Sequence, residues 1–179
     1  LPKTEQSPLR PKSPYAVSKL TAEQYCQLFN ESFGLPTAVL RYFNVFGPRQ
    51  DPSSAYSGVI SIFVDKLAQG ATPKIFGDGE QTRDFVFVSD VVQANLAAAG
   101  TPAAAGQVFN IGTGRPVSIN RLFASLAQLL GGPGTPDYQP PRPGDIVHSY
   151  ADPSLAAQVL GWSARVEFEA GLRQTIGAA

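Results

Sequence analysis

Cysteine and histidine occur once each in this chain, as Cys26 and His148. A single thiol excludes an internal disulfide, and one cysteine with one histidine leaves too few ligands for a zinc site, so no metal is expected. Net charge is also missing: 14 basic and 14 acidic residues cancel, which leaves no field to draw in a nucleic acid or an anionic membrane. No run of eighteen apolar residues occurs and no signal-peptide pattern opens the chain, so a soluble cytoplasmic protein is the expectation. Methionine is absent and the chain opens on LPKTEQSPLRPKSP, from which a portion of a longer protein is expected. No GxGxxG turn follows a first strand: GDGEQTRDF sits in a hairpin-like context and GTGR follows a late strand, so the sequence offers no cradle for a dinucleotide diphosphate. What remains, 179 residues of which 43% are hydrophobic, suits one globular domain or a large piece of one.

The most informative stretch is SPYAVSKLTAEQYC, residues 13–26. Ser13 is a good N-cap, and Pro14 suits the first helical position, where its missing N–H costs nothing. Val17, Leu20, Tyr25, Leu28 and Phe29 recur at helical spacing until Gly34, which predicts a helix over about 14–33 with Cys26 on its apolar side as a core thiol. Four residues apart, Tyr15 and Lys19 share one face of that helix. Such a pair is either a packing tyrosine beside a solvated lysine, or an ammonium that favours a phenolate able to take a proton from a substrate hydroxyl. The pair alone does not decide between them.

Strands and helices alternate along the rest of the chain, which argues for an α/β fold with a partly parallel sheet. A buried strand is expected over about 37–43, running into a loop from Asn44. GPRQDPSSAYSG is turn-rich, and a helix over about 58–69 directs Val59, Ile60, Phe63, Val64 and Leu67 inward. KIFGDGEQTRDFVFV reads as two short strands around a glycine-rich turn, followed by a helix capped by Ser89. QVFNIGTG is a further strand, and Ser118 caps the amphipathic helix INRLFASLAQLL. Five prolines and four glycines in residues 131–144 predict an ordered loop or lid without a regular element. Short helices to Leu160 and over about 167–176 complete the chain.

Four segments, SPYAVSK, LRYFNVFGPRQDP, GDGEQTRDFVFVSDVV and RPGDIVHSYAD, occur in that order, with FNIGTG between the last two. Together they resemble the extended short-chain dehydrogenase/reductase family, and most closely its UDP-sugar 4-epimerases, over essentially the whole chain. The resemblance implies that these residues form the carboxy-terminal part of such a protein: one edge of a Rossmann-like parallel sheet plus a small α/β substrate-binding domain. Residues 1–50 would belong to the NAD-binding part and 51–179 mainly to the substrate domain, with 107–130 returning to the sheet. The glycine-rich loop and a further catalytic serine or threonine would lie upstream.

The same resemblance implies roles residue by residue. Tyr15 matches the family's catalytic base, and Lys19 matches the partner that lowers its proton affinity and binds the nicotinamide ribose. Tyr42 and Phe43 lie where the strand meets the nicotinamide. Asn44 matches a ligand of the substrate diphosphate, Gly58 and Val59 match backbone contacts to uracil, and Phe63 is placed to cover that base. Arg83 and Arg142 match phosphate-binding arginines, whose planar forks suit a diphosphate better than a point charge. Asp145 matches an acid on the uridine ribose. Lys74 and Phe76 match more weakly and are not carried into the site.

The implied reaction is NAD-dependent 4-epimerisation of a UDP-hexose through a transient 4-keto sugar, by a homodimer joined through a four-helix bundle to which the opening helix contributes. Ser149 stands where a bulky tyrosine excludes N-acetyl groups, and YFNVFGPRQDP with Gln50 is similar to the UDP-N-acetylhexosamine-competent group. Interconversion of UDP-GlcNAc and UDP-GalNAc is therefore expected, with UDP-glucose and UDP-galactose as further substrates. The alternatives are a UDP-glucuronate decarboxylase or a nucleotide-sugar 4,6-dehydratase of the same family, or a non-catalytic module that binds a sugar nucleotide.

Overall fold

A computed structural model describes residues 1–53, 58–132, 134–142 and 144–177. Part of the expected 47–58 loop, residues 54–57, lies outside the described residues, as do Pro133 and Pro143 of the expected lid. Six α-helices run over Pro14–Phe33 (α1), Val59–Ala68 (α2), Val88–Gly100 (α3), Ile119–Leu130 (α4), Ser154–Leu160 (α5) and Phe168–Ile176 (α6). Seven strands run over Val39–Tyr42 (β1), Asn44–Phe46 (β2), Lys74–Phe76 (β3), Thr82–Phe87 (β4), Val108–Ile111 (β5), Pro116–Ser118 (β6) and Asp137–Gln139 (β7).

The β4 strand organises the interior. Side chains alternate across a strand, so Phe85 and Phe87 enter one core while Val86 enters another. The first core gathers Phe46, Ile60, Phe63, Leu67, Leu122 and Leu126 from β2, α2 and α4, with Leu172 of α6 beneath them. The second packs Phe109 and Ile111 of β5 against Val91 and Ala94 of α3, and against Ala156, Leu160 and Trp162. A strand covered on both faces reads as an unbroken apolar run, which is why FVFV shows no polar alternation.

Parallel pairing dominates. β1 pairs with β5 in the register Val39↔Val108 to Tyr42↔Ile111, and β2 pairs with β4 from Asn44↔Phe85 to Phe46↔Phe87. β1 and β2 are one extended stretch that changes partner at Phe43, whose N–H still reaches the Ile111 carbonyl at 3.0 Å. The loop expected from Asn44 is thus a short second strand.

Three further expectations are corrected. β3 and β4 do not form a hairpin: β3 pairs with β7 in parallel and β4 with β6 antiparallel, because tertiary packing gives each strand a distant partner across a turn whose Gly77 and Gly79 are both at positive φ. The proline-rich 131–144 segment does hold a regular element, since the proline-free triplet Asp137–Gln139 between Pro136 and Pro140 is long enough to make β7. Ser89 is not a cap: α3 starts at Val88 directly from β4, with Phe87 at the N-cap position and Asp90 complementing the dipole of the first turn.

Asp84, on β4, is fully buried and accepts four hydrogen bonds: from Thr113 N–H at 2.8 Å, Thr113 Oγ1 at 2.6 Å, Gly114 N–H at 3.0 Å and Ala151 N–H at 3.0 Å. One carboxylate thereby fastens the turn after β5 and the chain at 151 to the central strand. Gly112 must be glycine for this approach, because a Cβ there would stand 2.7 Å from both Asp84 Oδ2 and Ala151 Cβ.

Candidate active site

Ser13 and Gly34 set where α1 starts and stops. Ser13 Oγ accepts the Ala16 N–H at 3.1 Å, and Gly34 takes a left-handed φ of 66°. Tyr15 therefore lies in the first turn and Lys19 one turn later, with Lys19 Nζ 5.3 Å from the Tyr15 ring centroid. α1 buries none of its residues, so Cys26 is half-buried rather than a core thiol. Polar ties hold the helix to its neighbours instead. Arg41 of β1 donates through Nε and Nη2 to Glu23 at 2.9 and 2.6 Å, and Thr37 Oγ1 donates to the Cys26 carbonyl at 2.6 Å.

A groove of about 900 Å³ runs between α1 and the β1–β2 stretch, a size that suits a small-molecule ligand. Seven of the residues singled out in the sequence line it: Tyr15, Lys19, Tyr42, Phe43, Asn44, Gln50 and Gly58. The strand switch at Phe43 explains the gathering, since sheet edges part there and leave the backbone open toward the helix. Tyr42 is steadied by its hydroxyl, which donates to Asn95 Oδ1 at 2.9 Å. Arg49 is in the left-handed region at φ 66°, unusual for a side chain with a Cβ, and the turn delivers Gln50 to the groove wall. Gln50 Oε1 is buried with no hydrogen-bond partner among the described residues. Gly58 faces it; a Cβ there would stand 3.2 Å from Gln50 Nε2.

Arg83, Arg142, Asp145 and Ser149 form a second group around the start of β4. Arg83 Nη2 donates to Asp145 Oδ1 at 2.9 Å, while Arg83 Nη1 donates to the Thr82 carbonyl at 2.9 Å. The segment carrying Asp145 and Ser149 is strapped to β4: Thr82 N–H donates to the Val147 carbonyl at 2.9 Å and Ser149 N–H to the Thr82 carbonyl at 3.1 Å. His148 Nδ1 lies 3.0 Å from Thr82 Oγ1. The Arg142 guanidinium rests 3.6 Å above the centroid of the Phe76 ring. Asn44 on β2 and Arg83 on β4 belong to neighbouring strands of one sheet, but Arg83, Arg142, Asp145 and Ser149 do not line the groove that holds the first group.

Two residues are not brought to this surface. Val59 opens α2 and packs partly buried against the first core. Phe63 is 2% exposed and meets Phe123 edge to face at 6.3 Å, so its ring has no open face for a base. Helical spacing had placed Phe63 inward, and core packing claims it. Reading the sequence missed Phe76 as the seat of Arg142. The signal was the alternation in β3, where Ile75 is buried and Phe76 points the opposite way.

Comparison with known proteins agrees with this geometry. The profile of the NAD dependent epimerase/dehydratase family matches residues 1–112. The UDP-glucose 4-epimerase of Mycolicibacterium smegmatis is 43% identical over 175 residues, which cover 98% of this chain and 55% of that protein. The UDP-glucose 4-epimerase of Thermotoga maritima, solved with UDP-glucose, superposes with a TM-score of 0.94 at 44% identity, covering 99% of this chain and 56% of that one. The UDP-N-acetylglucosamine 4-epimerase of Methanobrevibacter ruminantium M1, in complex with UDP-N-acetylmuramic acid, gives 0.93 at 40% identity, covering 99% and 57%. The chain spans about half the length of the curated relatives it matches. With motifs, fold and family profile in agreement, the chain belongs to the NAD-dependent epimerase/dehydratase family.

Proposed function

We propose that this chain is the sugar-nucleotide-binding part of an NAD-dependent UDP-hexose 4-epimerase that interconverts UDP-GlcNAc and UDP-GalNAc, and UDP-glucose and UDP-galactose. The observation that carries this reading is the Tyr15–Lys19 stack on one wall of an open groove, with Arg83 on β4, the strand beside β2, and Arg142 seated on Phe76 of β3. Bound NAD would supply a reversible hydride acceptor for the sugar C4. The residues present suit its nicotinamide end: Lys19 has no ion-pair partner among the described residues, and Phe43 lies on the same strand face as Arg41, toward α1, whereas Tyr42 turns its hydroxyl to Asn95 of α3.

In this reading Tyr15 Oη accepts the proton of the sugar 4-hydroxyl and gives it back, and the Lys19 ammonium steadies the phenolate while the proton is away. Asn44, Arg83, Arg142 and Asp145 hold the UDP, and Gly58, on the groove wall, offers its backbone to the base. Binding energy falls on the part that does not react, which leaves the hexose free to turn about its bond to the diphosphate. The Gln50 Oε1 acceptor suits a donor such as an acetamido N–H. The division near residue 50, with the NAD-facing elements before it, follows from the same assignment.

Incubating the full-length protein with each UDP-sugar and identifying the product tests this. The 4-epimer supports it; a decarboxylated or dehydrated sugar moves the protein to the other branches of the family, and no turnover of any UDP-sugar leaves only a binding module. Ser149→Tyr should depress use of the acetylated sugar relative to UDP-glucose by roughly tenfold or more; equal acceptance by the variant removes Ser149 from specificity.

Assembly follows from the face α1 leaves uncovered. Val17, Tyr25, Leu28, Phe29 and Phe33 are 43–71% exposed, which supports pairing with a second copy through a four-helix bundle. Sedimentation of the full-length protein should give a dimer, and Leu28→Glu should yield monomer; an unchanged mass rules α1 out as the contact. The charge balance and lone thiol fit a cytoplasmic setting, and no helix among the described residues is long and apolar enough to cross a membrane.

A further inference from the structure

Glu23 stands one helical turn beyond Lys19, on the face that carries Tyr15, at the spacing where lysine and glutamate pair on a helix. They do not pair here. Among the described residues Lys19 is in no ion pair. Glu23 is engaged at both carboxylate oxygens by Arg41, with Nε to Oε2 at 2.9 Å and Nη2 to Oε1 at 2.6 Å. The guanidinium is fixed from a third side as well, since Nη1 donates to the Glu5 carbonyl at 2.9 Å. With side chains only 20% and 11% exposed, this fork is screened far less than a surface pair.

We propose that Arg41 is a positioning residue for Tyr15: by occupying both oxygens of Glu23 it denies that carboxylate to Lys19, so that the lysine charge stays directed at the phenol. This rests on the reading of Tyr15 as proton acceptor and names the residue that keeps its partner available. The other charged or titratable groups that face Tyr15 along the groove are Arg10 of the amino-terminal segment, Lys19, Glu23 and Cys26 of α1, and Arg41 and Tyr42 of β1. Glu23 is the carboxylate among them, and the neutralisation of Lys19 would have to come from it. Arg41 also ties α1 to β1, a structural role that any loss of the fork removes in the same way.

The pH dependence of kcat in the full-length NAD-loaded protein separates the two roles. Arg41→Met frees Glu23 to reach Lys19, and the acidic limb of the profile should move to higher pH by about one unit, a roughly tenfold loss of turnover on that limb. The double variant Arg41→Met/Glu23→Gln loses the tether equally but has no carboxylate to offer, and its limb should return to the wild-type position. Where Arg41→Met is not recovered folded, Arg41→Gln, which keeps amide donors, enters the same comparison. A single variant with an unmoved limb, or single and double variants displaced alike, overturns the proposal. Tyr15→Phe measured alongside distinguishes the levels: near-normal turnover there removes the base and this inference together, whereas an inactive Tyr15→Phe leaves the limb positions to judge Arg41 alone.

Discussion

Tyr15→Phe should lower turnover of the full-length enzyme by at least about a hundredfold, the usual worth of a positioned proton acceptor, with UDP affinity unchanged. The split follows from geometry. Phenylalanine keeps the ring that Lys19 overlies, and Ser13 and Pro14, which set the first turn of α1, are untouched. Only the oxygen proposed to exchange a proton with the sugar is removed. The residues assigned to the nucleotide, Arg83, Arg142 and Asp145, sit on β4 and its strap rather than on α1, so dissociation constants for UDP should not move. Single-turnover rates and UDP titration on the same preparation check both halves. A variant with near-normal turnover takes away the chemical role of Tyr15, and one that loses UDP binding in proportion to turnover makes the hydroxyl a binding group instead.

Asp84→Ala should destabilise the folded protein by about 3–5 kcal/mol, the largest stability effect foreseen for a single side chain here. Three backbone N–H groups and the Thr113 hydroxyl converge on this one carboxylate. Removing it strands donors at a fully buried position, each worth about 1–3 kcal/mol when left without an acceptor. Gly112 and Ala151 crowd the site so closely that the neighbouring backbone has little room to re-pair. The isosteric Asp84→Asn keeps the volume but turns an NH₂ toward donors, and should fall between wild type and alanine. Urea or thermal unfolding reads the difference. An alanine variant within about 1 kcal/mol of wild type would mean that the carboxylate is not what joins β4 to the chain at 113–114 and 151. The strap ends at Ser149, two residues before Ala151, so partial loosening should also weaken the Arg83–Asp145 contact.

Local chemistry made the helices legible. Caps at Ser13, Gly34, Ser118 and Gly131 define α1 and α4 within a residue, because a helix terminus is decided by side chains a few positions away. Strand pairing was less legible. The GDGEQ turn between β3 and β4 carries the composition of a hairpin, yet β3 takes its partner from β7 some sixty residues on, a choice made by tertiary packing that no local pattern encodes. β7 itself hides among prolines for the same reason.

For the site, the ordered motifs carry Tyr15, Lys19, Asn44 and Gln50, each inside a quoted segment, and the fold brings these four to one groove. Phe63 was misplaced by the resemblance, which set it over the base, although its helical spacing already directed it inward to the core. The Arg41–Glu23 fork was invisible in sequence: eighteen residues separate its partners, and each alone reads as a surface charge. Such pairings come from the way α1 lies on β1, which is decided by the whole fold.

The central claim is that the hydroxyl proton passes through Tyr15 while the C4 hydrogen travels separately as hydride and returns to the same carbon. NMR of the full-length protein turning over a UDP-hexose in deuterated water tests it most directly. The account predicts accumulation of the 4-epimer with the original hydrogen still at C4, and loss of that inversion in Tyr15→Phe. Deuterium appearing at C4, or inversion that persists at full rate without the phenol, would contradict it.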